Sequence, residues 1–413
     1  MKNNILNHLD DPRKLEQIYR ADKVSFRKQF MRLYPDLPNV PLANYWYERL
    51  AYEGEEIDWG HRQERLLLII SILIAGITAK LPAILSIEEE FFYPRNVGFI
   101  LFPALAAYFI YKNKLPKRNT VFIFGSGLLA LIFINILPNQ ATSDTLTLAC
   151  IHLLLLLWFI LGFAFTGTSQ EVSTRRLDYL KYSGDLVVIT GLLAIAGAML
   201  TAITVGLFSL LELDIEEFYF NYVAVFALPA APIVGTYLIQ NNPQLIGRIT
   251  PTIARIFSPL VLLTLVTYLI AMVYSEQDPF NDREFLLFFN ALLIGVMAII
   301  FYSVAESNHV KRRLEIWVLF LLSLLTIAVN GVALSAILFR ITEWGITPNR
   351  AAVLGSNLLM LIHLLIISVR LYQVLWRKST LIDVGKTIAA CLPIYLIWAI
   401  IVIFLFPFLF GFS

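Results

Sequence analysis

The stretch that decides the fold reads WVLFLLSLLTIAVNGVALSAILF at residues 317–339, RITEWGITPNR at 340–350 and AAVLGSNLLMLIHLLIISVRLY at 351–372. An α-helix rises about 1.5 Å per residue, so roughly 20 apolar residues cross the hydrocarbon core of a bilayer. The first and third segments reach that length, and the polar segment between them is long enough only for a tight turn. The pattern predicts a hairpin of two membrane-spanning helices.

Apolar runs of this kind recur through most of the chain. Hydrophobic residues make up 58% of the sequence and charged residues 15%, whereas about 25% of the residues in a soluble chain are charged. We therefore predict an all-α polytopic transmembrane bundle of about eleven spans. The predicted spans lie at 66–84, 97–111, 121–137, 146–165, 186–211, 219–239, 256–274, 285–304, 317–339, 351–372 and 388–409.

Lysine and arginine are concentrated in every second predicted loop. The basic loops lie at 112–118, 175–181, 248, 311–313 and 377–386, and the acidic or neutral loops lie at 88–90, 138–144, 212–217 and 276–282. Because short loops rich in Lys and Arg stay in the cytoplasm, the alternation predicts a cytoplasmic N-terminus and an outer C-terminus. Arg340 and Arg350 are exceptions, because they fall on the outer side.

The start of the chain is polar and precedes the first apolar run. We predict a short helical cytoplasmic head over residues 1–62 and the transmembrane bundle over 63–413. Asp11 followed by Pro12 is typical of a helix start. Two interpretations stay open: the head caps the cytoplasmic ends of the membrane helices, or it offers a docking surface to a cytoplasmic protein partner.

Two stretches of this sequence resemble a known family. LEQIYRADKVSFRKQF at 15–30 and LYPDLPNVPLANYWYERLAYE at 33–53 resemble the start of uncharacterised membrane proteins from Bacteroidetes-type bacteria, catalogued as domain of unknown function 4153. RITEWGITPNR at 340–350 is similar to a pattern of that family, Arg-x-x-Glu-aromatic-Gly-x-Thr-x-x-Arg. The resemblance covers nearly the whole chain and implies a many-helix protein of the bacterial inner membrane. It brings no activity, substrate or cofactor with it.

The segment 340–350 also has a readable local geometry. Gly345 can end the ninth predicted helix in a left-handed conformation, and Thr347 and Pro348 suit the N-cap and first turn of the tenth. The sequence therefore predicts a tight helical hairpin at the outer face.

The charged residues of this hairpin form the first candidate site. Arg340 and Glu343 are three residues apart on one helix and are predicted to pair, while Arg350 lies in the first turn of the next helix. Two arginines beside a helix N-terminus would suit a phosphate or carboxylate group. The alternative is a purely structural hairpin, in which Arg350 reaches lipid headgroups.

The sixth predicted helix is a second candidate. Pro229 and Pro232 fall near its middle in FALPAAPIVG at 226–235. Proline removes a backbone donor and clashes with the preceding turn, so we predict a kinked or partly unwound helix. Many transporters bind substrate at broken helices, but kinks without a transport role also occur in membrane helices.

Polar residues within predicted spans form a third group, because they are costly in lipid unless they pair or line a wet cavity. Asn330 and Asn357 lie at similar depths in the ninth and tenth helices. They are interpreted as partners in an interhelical hydrogen bond, with a ligand contact as the alternative. His363 is interpreted as bonding to a neighbouring helix, with proton transfer as the alternative.

The fifth predicted helix carries a stripe of small residues. Ala194, Ala198, Ala202 and Gly206 recur every four residues, and this smooth side predicts close packing of another helix within the bundle.

Several chemistries find no support in the sequence. It lacks a His-Glu-x-x-His motif, a Gly-rich phosphate loop with lysine and a nucleophile elbow, which argues against an ATP-driven pump and an intramembrane metalloprotease. No catalytic residue, metal or cofactor is predicted. The net charge of +2 is spread over short loops, which argues against nucleic acid and leaves membrane lipids as expected partners.

These features together favour a permease-like protein that binds or transports a small anionic or amphiphilic ligand between the sixth, ninth and tenth helices. The predicted ligand-binding residues are Arg340, Glu343, Arg350, Asn330, Asn357, Pro229 and Pro232. The alternative is a non-transporting scaffold or sensor whose cytoplasmic head recruits a partner. An enzyme acting on lipid headgroups is the weakest hypothesis, because no general base or nucleophile stands out.

Overall fold

The computed structural model describes residues 5–34, 37, 40–52, 60–140, 143–169, 171–209, 214–243, 258–267, 270, 283–306 and 313–412. All regular secondary structure in these ranges is helical. The chain divides into two compact units, Met1–Asp58 and Trp59–Ser413. The basic residues Arg248, Lys311 and Arg312, the acidic loop 276–282 and both ends of the seventh predicted span lie outside the described residues.

The described part of the first unit contains three helices of at least ten residues: α1 (Pro12–Ala21), α2 (Lys23–Leu33) and α3 (Pro41–Tyr52). Asp11 caps α1 by accepting hydrogen bonds from the backbone N–H groups of Arg13 and Lys14, so the predicted helix start is confirmed. The unit has an apolar core of its own. This core includes Leu15, Tyr19, Phe26, Phe30, Trp46 and Leu50.

A carboxylate joins two of these helices. Glu16 on α1 lies 2.8 Å from Arg20 Nε and 2.7 Å from Arg49 Nη1 on α3. The hydrogen bond from Arg20, helped by Arg49, holds the pKa of Glu16 below its usual value. The ion pair therefore stabilises the first unit most when Glu16 is ionised.

The second unit is a bundle of longer helices. They are α4 (Arg62–Leu85), α5 (Glu89–Lys112), α6 (Lys117–Ile136), α7 (Asp144–Thr166), α8 (Val172–Ser209), α9 (Glu216–Asn241), α10 (Ser258–Thr267), α11 (Arg283–Ala305), α12 (Arg313–Trp344), α13 (Pro348–Leu375) and α14 (Leu381–Leu409). Among the described residues, eight helices are long and apolar enough to cross a membrane: α4, α6, α7, α8, α9, α12, α13 and α14. The chain is thus an all-α protein of membrane type.

The bundle has two main apolar cores. The first includes Leu105, Phe109, Leu157, Tyr182 and Tyr237 on α5, α7, α8 and α9. The second includes Val296, Ile300, Leu322, Leu364 and Ile388 on α11 to α14. A helix contact beside the second core depends on Gly355 of α13, because a Cβ at this position would overlap the ring of Trp398 on α14.

The small-residue stripe of α8 does not pack as predicted. Ala194, Ala198, Ala202 and Gly206 are all exposed, and no side-chain atom of a described residue lies within 4 Å of the Cβ position of Gly206. Lipid tails are as apolar as a neighbouring helix. A smooth apolar face therefore does not by itself require a protein partner.

Candidate functional site

The predicted turn between α12 and α13 is present. Gly345 has a φ of +76°, and its N–H donates to the carbonyl of Ile341 at 2.9 Å. Thr347 caps α13 by accepting a hydrogen bond from the backbone N–H of Arg350, and Pro348 is the first helical residue. These local features confirm the hairpin that the sequence predicts.

The side chain of Arg350 closes this hairpin. Its Nη1 donates to the backbone carbonyls of Trp344 at 2.9 Å and Gly345 at 2.7 Å, and its guanidinium lies 5.6 Å from the Trp344 ring centroid. Carbonyls at a helix C-terminus have no intrahelical donor, and a cation suits the negative end of the helix dipole. Arg350 therefore has a structural role here, which favours the structural interpretation, and its ligand-binding role stays a prediction.

Arg340 and Glu343 do not form the predicted ion pair. Arg340 is buried, with its guanidinium 6.0 Å from the Trp344 ring centroid, whereas Glu343 is exposed. Within the described part of the chain, no ion pair joins the two. Spacing along a helix places two side chains within reach, but the arginine turns towards the bundle while the carboxylate stays at the surface.

The two predicted asparagines do meet across the hairpin. Asn330 and Asn357 are 0% and 1% exposed, and Asn330 Nδ2 donates to the backbone carbonyl of Asn357 at 3.2 Å. The predicted interhelical hydrogen bond is therefore confirmed. The acceptor is a backbone carbonyl rather than the second amide side chain.

The side chain of Asn357 bonds to a third asparagine. Its Nδ2 donates to Oδ1 of Asn290 on α11 at 2.9 Å. We call Asn290, Asn330 and Asn357 the amide layer, because they connect α11, α12 and α13. Asn290 is absent from the predicted site, although a lone asparagine within the apolar run 285–304 was a signal of the same kind as the other two.

The amide layer is incompletely satisfied by the protein. Asn290 Nδ2, Asn330 Oδ1 and Asn357 Oδ1 are buried, and none of these atoms has a hydrogen-bond partner among the described residues. A buried polar group without a partner costs about 1–3 kcal/mol, so native structures keep few of them. Within the described part of the bundle, the layer thus presents one unpaired amide nitrogen and two unpaired amide oxygens in the interior.

His363 lies six residues beyond the amide layer on α13. Its Nδ1 is 3.0 Å from the hydroxyl of Tyr395 on α14, and its ring packs on Phe301 of α11 at a centroid distance of 4.8 Å. The predicted bond to a neighbouring helix is confirmed. Nε2 of His363 is buried and has no hydrogen-bond partner in the part of the chain that the structure describes.

The prolines of α9 lie in α-helical backbone. Residues 225–241 are α-helical through both Pro229 and Pro232, so the helix is not unwound at the prolines. The irregularity lies just before them, in a π-helical turn over Tyr219–Ala224. Lys80 on α4 donates to the carbonyl of Asn221 in this turn at 2.7 Å. The irregular backbone of α9 thus precedes the two prolines and does not include them.

The predicted site is therefore only partly assembled. The helix α9 packs against α4, α8 and α5, while α12 packs against α11 and α13. Pro229 and Pro232 belong to one side of the bundle, and Asn330 and Asn357 belong to the other. Helix packing brings Asn290 rather than the prolines to the two predicted asparagines.

A second polar cluster joins α8 to α11. Lys181 Nζ lies 3.0 Å from Glu306 Oε2, and the hydroxyl of Tyr302 donates to Asp185 Oδ1 at 2.7 Å. Both carboxylates are buried. Spacing along one helix does not predict this cluster, because Asp185 lies on α8 and Glu306 directly follows α11, far away in the sequence.

A buried arginine connects α5 to α6. Arg95 donates to the carbonyls of Ile134 and Phe91, each at 3.3 Å. Beside it, Asn96 and Asn135 exchange two side-chain hydrogen bonds of 3.0 and 2.9 Å. The carbonyl of Ile134 is near the C-terminus of α6, where a cation is favourable. These residues hold the helix pair together.

Comparison with known proteins finds no relative: no model of a protein family, no curated protein and no solved structure matches the chain. The similarity to domain of unknown function 4153 therefore stays an expectation.

Proposed function

We propose that the chain is a permease-like protein of the bacterial inner membrane, which binds or transports a small ligand at the amide layer. In this proposal the chain crosses the membrane eleven times, with its N-terminus in the cytoplasm and its C-terminus outside. The count is supported by α5 and α11, whose 24 and 23 residues coincide with the second and eighth predicted spans. The helix α10 lies within the seventh.

The observation that carries this proposal is the set of unpaired atoms in the amide layer. Polar residues inside a membrane bundle are costly unless they pair or line a polar path. Here Asn290 offers a free N–H donor, while Asn330 and Asn357 each offer a free oxygen acceptor. A small ligand that both donates and accepts hydrogen bonds would satisfy all three.

The chemistry of this layer refines the predicted ligand class. Phe289, Val329 and Met360 of the second core each lie within one helical turn of an amide-layer residue on the same helix, which suits an amphiphilic ligand. The anionic alternative has less support, because Arg350 is bonded to backbone carbonyls at the hairpin. We therefore propose a neutral or zwitterionic amphiphile ahead of a simple anion.

Cysteine accessibility tests this proposal without knowledge of the ligand. Cys150 and Cys391 are replaced by serine, and single cysteines are introduced as Asn330→Cys, Asn357→Cys and Leu358→Cys. The protein is reconstituted in liposomes and treated with the membrane-impermeant cation trimethylammonioethyl methanethiosulfonate. Leu358 is the matched control, because it neighbours Asn357 but is 48% exposed on the outside of the bundle.

A permease opens a water-filled path to its binding site, so we expect the charged reagent to label positions 330 and 357 and to leave position 358 unlabelled. N-ethylmaleimide added after unfolding in detergent must label all three variants, which shows that each thiol is present. Protection of positions 330 and 357 from both faces would contradict the permease.

The alternative function, a scaffold or sensor that recruits a cytoplasmic protein, is supported by a different observation. Residues 1–58 form a separate compact unit with an apolar core, yet Tyr45 on α3 is 75% exposed. Exposed aromatic residues are frequent hot spots of protein interfaces. If the head recruits a partner, Tyr45→Ala should abolish co-purification of that partner while thiol labelling at positions 330 and 357 stays unchanged.

A further inference from the structure

A groove lies between the beginning of α6 and the end of α7. It has a volume of about 260 Å³ and is lined by Arg118, Asn119, Phe122, Ile123, Phe163 and Gly167. Arg118 supplies a positive charge at one end, and three large apolar side chains form the wall. The groove thus has the two parts that an amphiphilic molecule requires.

The walls of the groove are held in place by neighbouring contacts. Asn113, in the turn before α6, donates two hydrogen bonds of 3.0 Å to the carbonyls of Ala164 and Phe165 near the end of α7. The rings of Phe122 and Phe163 meet edge to face at a centroid distance of 6.1 Å. A preformed site loses less free energy on ordering when it binds a ligand.

The charge around the groove favours an anion. Residues 112–118 include four cations and no acidic residue. Lys112 is turned inward and donates to the hydroxyl of Tyr108 at 3.2 Å, whereas Lys114, Lys117 and Arg118 are exposed. Three exposed cations at the predicted cytoplasmic end of α6 lie where anionic headgroups are concentrated.

The apolar wall continues from this charged end into the membrane-facing part of the helix. Phe122 is 60% exposed, and α6 is one of the eight helices that are long and apolar enough to cross a membrane. The positive charge therefore lies at the start of α6 and the apolar wall follows it along the helix. A phospholipid has the same order, with its phosphate at the membrane surface and its acyl chains in the interior.

We propose that this groove binds one anionic phospholipid of the cytoplasmic leaflet, with its phosphate at Arg118 and one acyl chain along Phe122 and Phe163. The groove is separate from the amide layer, so lipid binding at the groove does not depend on the proposed permease function. A cation close to an anionic headgroup contributes roughly a five-fold gain in affinity.

Native mass spectrometry of the full-length protein measures this binding directly. The probes are dioleoyl phosphatidylglycerol, dioleoyl phosphatidylcholine and inorganic phosphate. The variants are Arg118→Ala for the phosphate, Phe122→Ala for the acyl chain and Lys378→Ala as a matched control. Lys378 is an exposed cation in another basic loop and does not line the groove.

We expect the first phosphatidylglycerol to bind more tightly than phosphatidylcholine, and Arg118→Ala to weaken it about five-fold. Phe122→Ala should also weaken it, while Lys378→Ala and added inorganic phosphate should leave it unchanged. Equal effects of Arg118→Ala and Lys378→Ala would overturn the proposal, because they would indicate a nonspecific lipid annulus. Competition by phosphate together with a silent Phe122→Ala would overturn it in favour of a free-anion site.

Discussion

The hydrogen bonds of the amide layer predict that the Asn357 side chain is energetically coupled to Asn290 but not to Asn330. Asn357 donates to the side chain of Asn290 but accepts from Asn330 through its backbone carbonyl. Asn357→Ala therefore breaks the bond to Asn290 and leaves an acceptor for Asn330. Two double-mutant cycles, Asn290 with Asn357 and Asn330 with Asn357, separate the two contacts.

The expected magnitudes follow from the chemistry of each contact. The bond of 2.9 Å between Asn357 Nδ2 and Asn290 Oδ1 is a neutral hydrogen bond, and such bonds between membrane helices contribute about 0.6 kcal/mol on average and at most about 1.7 kcal/mol. We expect a coupling of about 1 kcal/mol for Asn290 with Asn357. The coupling for Asn330 with Asn357 should be close to zero, because their bond survives the loss of the Asn357 side chain.

The assay is reversible unfolding of the purified protein from mixed micelles by sodium dodecyl sulfate, followed by far-ultraviolet circular dichroism. The three single alanine variants and the two double variants are compared with the parent protein under one set of conditions. A coupling of Asn330 with Asn357 that equals or exceeds that of Asn290 with Asn357 would refute the reasoning. It would mean that the two amide side chains bond directly.

Three further predictions use other parts of the chain. Gly345→Ala should destabilise the protein by about 1–2 kcal/mol in the same assay through backbone strain alone, since φ is +76° and no atom lies within 4 Å of the new Cβ; an unchanged stability would exclude the left-handed turn. Gly355→Ala should displace the ring of Trp398, which overlaps the new Cβ, and destabilise by about 1–3 kcal/mol; the tryptophan near-ultraviolet dichroism should change with it. Because the pKa of Glu16 is lowered by its arginine partners, its stabilisation is present above the unfolded pKa and lost as pH falls through the folded pKa. Glu16→Gln should therefore lower the free energy of unfolding at pH ~7 by less than about 1 kcal/mol. This difference should shrink as the pH falls below the unfolded pKa of about 4.3, and a difference that does not change with pH would contradict this ion pair.

The hairpin shows how far local sequence reasoning reaches. The left-handed Gly345, the Thr347 cap and the first-turn Pro348 follow from the conformational preferences of a few adjacent residues, and the structure contains all three. The predicted pairing of Arg340 with Glu343 also concerns residues close in the chain, but Arg340 is buried and Glu343 is exposed to the surroundings. Helical spacing shows which side chains come within reach and not which rotamers they adopt.

The arrangement of the predicted ligand-binding residues depends on contacts that the sequence does not specify. The sequence predicts that Asn330 and Asn357 meet because they lie at similar depths on the two sides of one turn, whereas it contains no constraint that brings Pro229 and Pro232 to them. The structure instead packs α9 on α4, α5 and α8 and brings Asn290 into the amide layer.

The amino-acid sequence by itself determined that the chain is helical and of membrane type, where most helices run and how one turn closes, because hydropathy and turn chemistry act between residues close in the chain. The tertiary structure alone decided which helices are neighbours, which amide bonds to which, and which polar atoms remain without a partner. Those outcomes depend on shape complementarity between helix surfaces far apart in sequence, where apolar faces are chemically alike and many pairings compete.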